Sequence, residues 1–182
     1  SAVEIPVVGG SWQYDYNAPI STISFENDAD LTSVDLSLSD GLAGVTSLND
    51  AFKNCAGLTT VDFTDCDLSN VASASDAFAG CVALTDIIIP AGTWKPDIDL
   101  SDTAIVYADM PNVINGLFTY STGTHTILFN STIWDALSQA QQQTIFDSAQ
   151  LKGWTTNAVM VVYAIKGKST AASETFTLHF IL

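Results

Sequence analysis

The sequence predicts an α+β fold in which short parallel strands stack into a solenoid and a C-terminal β-hairpin caps its end. Three observations carry this expectation. Segment 47–63, SLNDAFKNCAGLTTVDF, returns as segment 73–89, SASDAFAGCVALTDIII, at a shift of 26 residues (73 − 47), with Ser47/Ser73, Asp50/Asp76, Ala51/Ala77, Phe52/Phe78, Cys55/Cys81, Leu58/Leu84 and Thr59/Thr85 identical. Self-similarity at a period in the twenties is the mark of stacked coils that bury a shared core. The segments starting at Leu31, Leu58 and Leu84 all carry apolar residues at i, i+3 and i+5, and their alternating ends present one apolar and one polar side, as half-buried strands do. Finally, residues 158–182 read as two apolar strands around a small-residue connection at 166–174, a pattern suited to closing or docking an exposed sheet edge.

Within each copy, Asp50 and Asp76 precede Ala-Phe-x-x-Cys, where an aspartate is placed to cap a short helical turn. Phe52/Phe78 and Cys55/Cys81 are then expected to form internal columns, because Phe and free Cys are among the most buried residue types. The pattern AF-x-x-C-x-x-LTxVDF resembles the BspA-type leucine-rich repeat of bacterial surface proteins, most clearly over 31–89 and more loosely to Trp154. The resemblance implies a short leucine-rich-repeat-like solenoid that is exported, non-catalytic and surface-displayed, in a family often acting as adhesins. The implied partner is a protein or glycan of a host or neighbouring cell, and the implied location is extracellular or at the cell surface. From Pro90 onwards the strict period is lost.

The chain is expected to be one domain, with 1–157 forming the solenoid and an N-terminal aromatic cap, and 158–182 forming its closing or docking hairpin. Five Lys and no Arg against twenty Asp and Glu give a formal charge of −15. Such a surface repels phosphate backbones and anionic headgroups, which argues against nucleic-acid partners. With 47% apolar and only 14% charged residues the chain is nevertheless globular in composition. It has no long apolar run, so no membrane insertion is expected. It begins at Ser1, which reads as a mature or trimmed chain with its targeting segment removed. Three Cys is an odd count, poorly suited to a disulfide framework. Cys55 and Cys81 share a repeat column, about 5 Å apart if the coils stack, so a bridge between them is an alternative to a ladder of buried thiols.

From the N-terminus, Trp12, Tyr14 and Tyr16 alternate with Gln13 and Asp15. Three aromatics on one strand face make either a stacking platform for a sugar or peptide or a cap over the first coil. Residues 20–25 have the spacing of a first strand. In-register stacking of the repeat strands brings Ser33, Thr60 and Asp86 into one exposed column and Asp35, Asp62 and Ile88 into the next. Asp35, Thr60, Asp62 and Asp86, with the three aromatics, are therefore the candidate binding residues. The same residues also suit a solvated sheet face. Residues 97–102 carry oxygen-bearing side chains at alternate positions, but Asp102 and Ala108 stand where an EF-hand needs Gly and Glu. A solvated acidic loop is the expectation, and no metal or cofactor site is assigned.

Asp109-Met110-Pro111 opens a predicted helix running to about Phe118, with Pro in its first turn. A strand at 126–130 and a helix at 139–151 follow, with Ser138 as N-cap, Gln141 completing a capping box and Gly153 just past the C-terminus. Ile145, Ala149 and Trp154 are expected to pin that helix over the core. His125 and His179 lie on or beside predicted strands, and no nucleophile elbow, phosphate loop, dinucleotide fingerprint or zinc-protease motif is present. The chain therefore reads as a non-catalytic surface binding or adhesion module. The alternatives are a structural or assembly component of an envelope or phage-tail-like structure and, more remotely, a carbohydrate-active enzyme.

Overall fold

A computed structural model describes residues 10–13, 23–37 and 40–157 of the chain. The repeat strands are present and pair in parallel. Strands β1 (Gly10–Gln13), β2 (Leu31–Asp35), β3 (Thr60–Asp62) and β4 (Asp86–Ile88) form a four-stranded sheet in sequence order. Ser33 pairs with Thr60 and Thr60 with Asp86, while Asp35, Asp62 and Ile88 align in the neighbouring column. That register puts Val34, Val61 and Ile87 inside, because successive strand residues face opposite ways.

The turn segments preceding the strands are stacked as well. The amides of Leu48, Asp50, Phe52 and Asn54 donate to the carbonyls of Ser73, Ser75, Ala77 and Ala79, so the second copy lies on the first rung by rung. The same ladder brings Phe25, Phe52 and Phe78 into a buried stack, with centroids 5.6 and 5.5 Å apart and rings within 10° and 5° of parallel. Trp94 closes the stack against Phe78 at 6.2 Å. Cys55 and Cys81 also form the expected column. Each buried thiol donates to a carbonyl one coil back, Cys55 to Phe25 at 3.0 Å and Cys81 to Phe52 at 2.9 Å. Cys66, which has no counterpart in the other copy, does the same to Leu36 at 3.1 Å. All three cysteines are free.

The predicted solenoid is corrected by the chain beyond β4. The described residues form a small α+β domain with two separate parallel sheets and three α-helices, not one continuous stack of coils. The second sheet joins β5 (Ile98–Leu100), β6 (His125–Phe129) and β7 (Trp154–Thr155). The helices are α1 (Met110–Gly116), α2 (Ser131–Asp135) and α3 (Gln139–Gln150). The physical reason begins at Pro90, which has no N–H to continue a ladder. Just beyond it, the amides of Thr93 and Trp94 donate to Gly116, and Phe118 donates back to Trp94. Helix α1 thereby lies beside β4, with Gly116 packed so tightly on Ile89 that a Cβ there would stand 2.5 Å from the Ile89 Cβ. The pairing interval also changes. It is 22, 27 and then 26 residues in the first sheet (33 − 11, 60 − 33, 86 − 60) but 29 in the second (127 − 98, 154 − 125), where whole helices replace tight turns.

Local expectations fare unevenly. Asp50 and Asp76 cap no helix: both have left-handed backbones (φ 55° and 54°) within turns, and Asp50 accepts from the Lys53 ammonium at 2.7 Å. Residues 23–25 form no strand; Phe25 instead donates to Ala51 in the turn ladder. Helix α3 has its capping box, with Ser138 and Gln141 bonded reciprocally, and Gly153 follows it at φ 81°. Ile145, Ala149 and Trp154 are buried as expected. Helix α2 has no counterpart among the sequence expectations. It is capped by Asn130, whose Oδ1 accepts from the Thr132 amide at 3.0 Å. The predicted hairpin at 158–182, with His179, lies outside the described residues, as do Tyr14, Tyr16 and the predicted strand start at 20–22. No described helix is long and apolar enough to cross a membrane.

Candidate functional site

The outer face of the first sheet carries the four polar candidate residues Asp35, Thr60, Asp62 and Asp86. Asp35 Oδ1 accepts from the Ser37 amide at 2.9 Å and its hydroxyl at 2.6 Å, and Asp62 Oδ1 accepts from the Thr64 amide at 2.7 Å. Both carboxylates therefore close the turn that follows their strand, a local use that Asp favours. Thr60 lies between Ser33 and Asp86 in the register. Asp86 has its pKa raised, first by partial burial and then by the neighbouring charges of Asp109 and Asp62. The face is half-polar rather than uniformly acidic, since Ile88 is also exposed there. Trp12 is on β1, in register with Val34 of β2.

A concave surface lies elsewhere. A groove of about 960 Å³ opens between segment 69–76, on the stacked turns, and the start of the second sheet, including Lys95, Asp97, Asp99, Tyr120, His125, Thr126 and Leu128. Its volume is within the range of ligand sites. Asp97 holds one wall. Its Oδ1 accepts from the Thr126 amide at 3.0 Å and lies 3.3 Å from His125 Nδ1, which ties the start of β6 to the residue before β5. Asp99, two residues on, accepts from the Ser101 amide at 2.9 Å through its own Oδ1. Strand alternation turns Asp97 and Asp99 outward while Ile98 is buried between them.

The end of the groove is aromatic. The Tyr120 and His125 rings stack 3.7 Å apart at 14°, and Phe118 meets Tyr120 edge-on at 5.0 Å. The Tyr120 hydroxyl donates to the Lys95 carbonyl at 3.0 Å. Partial burial and the charge of Asp97 push the Tyr120 pKa up. Lys95 reaches across the groove, donating from Nζ to the Ser69 carbonyl at 2.5 Å, and its ammonium also lies 5.5 Å from the Phe118 ring centre. Below this end, Lys152 donates to the carbonyls of Asn115 and Leu117 at 2.8 and 2.7 Å, at the end of α1, where the last carbonyls have no partner within the helix. Trp154 Nε1 donates to Phe118 at 2.7 Å. The aromatic end is thus fixed from beneath by a cation and an indole.

Chemically, the groove offers carboxylates, hydroxyls and a stacked aromatic–imidazole pair. Among the described residues, no hydroxyl hydrogen-bonds to His125 Nε2, so His125 and Asp97 are not completed by a nucleophile. No group of three metal-ligating side chains gathers among the described residues either. The acidic run 97–102 is used piecewise: Asp97 on β6, Asp99 on its own turn, and Asp102 accepting from the Gly80 amide at 2.9 Å. Sequence reasoning missed the groove because its walls come from segments about 25 to 50 residues apart. The alternating Asp97-Ile98-Asp99 was the available signal, since it has the pattern of a strand with an acidic outer face. Comparison with protein-family models, with curated proteins and with solved structures finds no match for this chain.

Proposed function

We propose that this chain is a non-catalytic binding or adhesion module displayed at a bacterial cell surface, and that the groove between segment 69–76 and β5–β6 is its binding site. The observation that carries the reading is the groove itself: an open cleft of mixed polar and apolar lining, with an aromatic end braced by Lys152 and Trp154. Sites of this kind combine a shaped wall with a few placed polar groups. Surface display is supported by the resemblance of the Asp-Ala-Phe-x-x-Cys repeats to BspA-type surface proteins, and it implies a protein or glycan partner on a host or neighbouring cell. The test is saturable binding of the purified chain to peptide and glycan panels, repeated with Ser75→Trp. Ser75 is exposed on the groove wall, so a bulky ring there fills the cleft without entering the core. Binding that Ser75→Trp removes supports the reading. A ligand held equally well by the variant, or no saturable ligand in either panel, overturns it. Brief protease treatment of intact source cells tests display separately, with release of the protein expected.

A further inference from the structure

The groove lies where the turn ladder skips a rung. One repeat earlier, the amides of Leu48 and Asp50 donate to the carbonyls of Ser73 and Ser75. The corresponding amides of Ala74 and Asp76, both on the groove wall, donate to nothing among the described residues. Only Gly80 finds a partner on the next coil, and that partner is the Asp102 carboxylate. Across the groove, β5 is the edge of its sheet among the described residues, bonded to β6 on one side. The Leu100 carbonyl at the end of β5 is taken by the Thr103 amide and hydroxyl. Among the described residues, the unpaired amides of Ala74 and Asp76 and the singly paired β5, through Ile98 and Asp99, therefore line one cleft. Such groups are the template for adding an extended strand.

Charge selects what kind of strand. Asp97 and Asp99 line the groove beside one lining ammonium, Lys95, which is already committed to Ser69 and Phe118, while the neighbouring Asp76 meets the Lys53 ammonium at 3.4 Å. Asp97 and Asp99 each bond through Oδ1, and neither Oδ2 makes a hydrogen bond among the described residues. They stand two residues apart on an extended backbone, the same interval at which side chains recur on one face of a strand. We propose that the groove binds an extended cationic peptide segment, whose backbone pairs with the edge of β5 and whose Lys or Arg side chains at alternate positions meet Asp97 and Asp99. The proposal rests on the groove being the binding site and adds the class of its ligand.

The experiment titrates the purified chain with a fluorescent peptide of alternating Thr and Lys. The same peptide N-methylated at alternate amides, its Glu counterpart and a panel of neutral oligosaccharides serve as comparisons. Binding of the Thr-Lys peptide is expected to be saturable and to weaken as salt is raised. N-methylation is expected to abolish it, because the methyl groups remove the pairing donors. Asp99→Asn, which keeps an acceptor for the Ser101 amide, is expected to weaken it about tenfold. Asp62→Asn on the outer face of the first sheet is expected to leave it unchanged. Equal binding of the N-methylated peptide, or equal weakening by Asp62→Asn, means attraction to bulk charge and overturns the proposal. An oligosaccharide that binds and is lost on Ser75→Trp, with no peptide binding, overturns the cationic-peptide assignment while leaving the groove as the site. Failure of every ligand overturns both.

Discussion

Gly80 lies against Asn54, one repeat earlier, so closely that a Cβ at position 80 would stand 2.7 Å from Asn54 Oδ1 and 3.2 Å from its Cα. Both residues have left-handed backbones, φ 74° and 61°, which L side chains other than Asn and Asp rarely adopt. Gly80→Ala is expected to destabilise the protein by about 1–3 kcal/mol from backbone strain and crowding together. Asn54→Gly removes the crowding atom but also the bond that Asn54 Nδ2 donates to Asn27 Oδ1 at 2.8 Å. Urea unfolding of the two single variants and the double variant separates the effects. Gly80→Ala is expected to cost less in the Asn54→Gly background, and strict additivity would show that the two coils do not press on each other there.

The buried phenylalanine column makes a larger prediction. Phe52 is completely buried between Phe25 and Phe78, so Phe52→Ala leaves a cavity bounded by rings from two other coils. The expected loss is about 3–5 kcal/mol, with Phe78→Ala similar. Asp62→Ala removes the acceptor for the Thr64 amide at the surface and a like charge near Asp86, and about 1 kcal/mol or less is expected. Denaturant midpoints measured at unchanged slope check the ranking, and near-equal losses for all three variants would contradict the stacked-ring account.

How much of this was legible in the sequence differs from one residue to the next. The 26-residue interval contained the register of β3 and β4 and the internal positions of Phe52, Phe78, Cys55 and Cys81, because repeated side chains on equivalent backbones must superpose. The capping box of α3 was also legible, being a local exchange between Ser138 and Gln141. Asp50 and Asp76 mislead because an aspartate before Ala-Phe suits a helix cap and a left-handed turn equally, and only the ladder to Ser75 and Ala77 favours the second. The division into two sheets depends on Gly116 meeting Ile89 and on Trp94 exchanging bonds with Gly116 and Phe118, contacts that no local pattern contains. The groove shares that origin. Asp35 and Asp62, expected only as exposed sheet-face residues, close turns instead, and their Asp-x-Ser and Asp-x-Thr spacing was the signal not taken up.

Asp86 supplies a pH test. Its pKa is raised in the folded state, first by burial and then by Asp109 and Asp62. The folded protein therefore holds this proton more tightly than the unfolded chain does. Stability drawn from this group is present below the unfolded carboxylate value and is lost as pH rises through the folded one. At pH 7 the ionised Asp86 is a net cost. Asp86→Asn is expected to raise the melting temperature at pH 7, by under about 1 kcal/mol equivalent at this half-exposed position. The gain should disappear near pH 3, where the wild-type carboxyl is protonated in both states. A stabilisation independent of pH would assign the effect to packing or hydrogen bonding instead.

The three thiols give the last test, because each is fixed twice over. Burial pushes Cys55 up to about 11 and Cys66 and Cys81 up to about 12, and each Sγ donates to a carbonyl of the preceding coil. At pH 8 the nucleophilic thiolate is scarce and its sulfur is enclosed, so a disulfide reagent added to the folded protein is expected to react only as fast as the chain opens. In denaturant all three cysteines should react at once. Cys55→Ser and Cys81→Ser place a more strongly solvated hydroxyl at the same carbonyls in an apolar column, so each is expected to cost about 1–3 kcal/mol despite retaining a donor. A Cys55 that reacts rapidly in the folded protein, with a rate unchanged by stabilising salts, would show that the column between Phe25 and Phe52 is open to solvent.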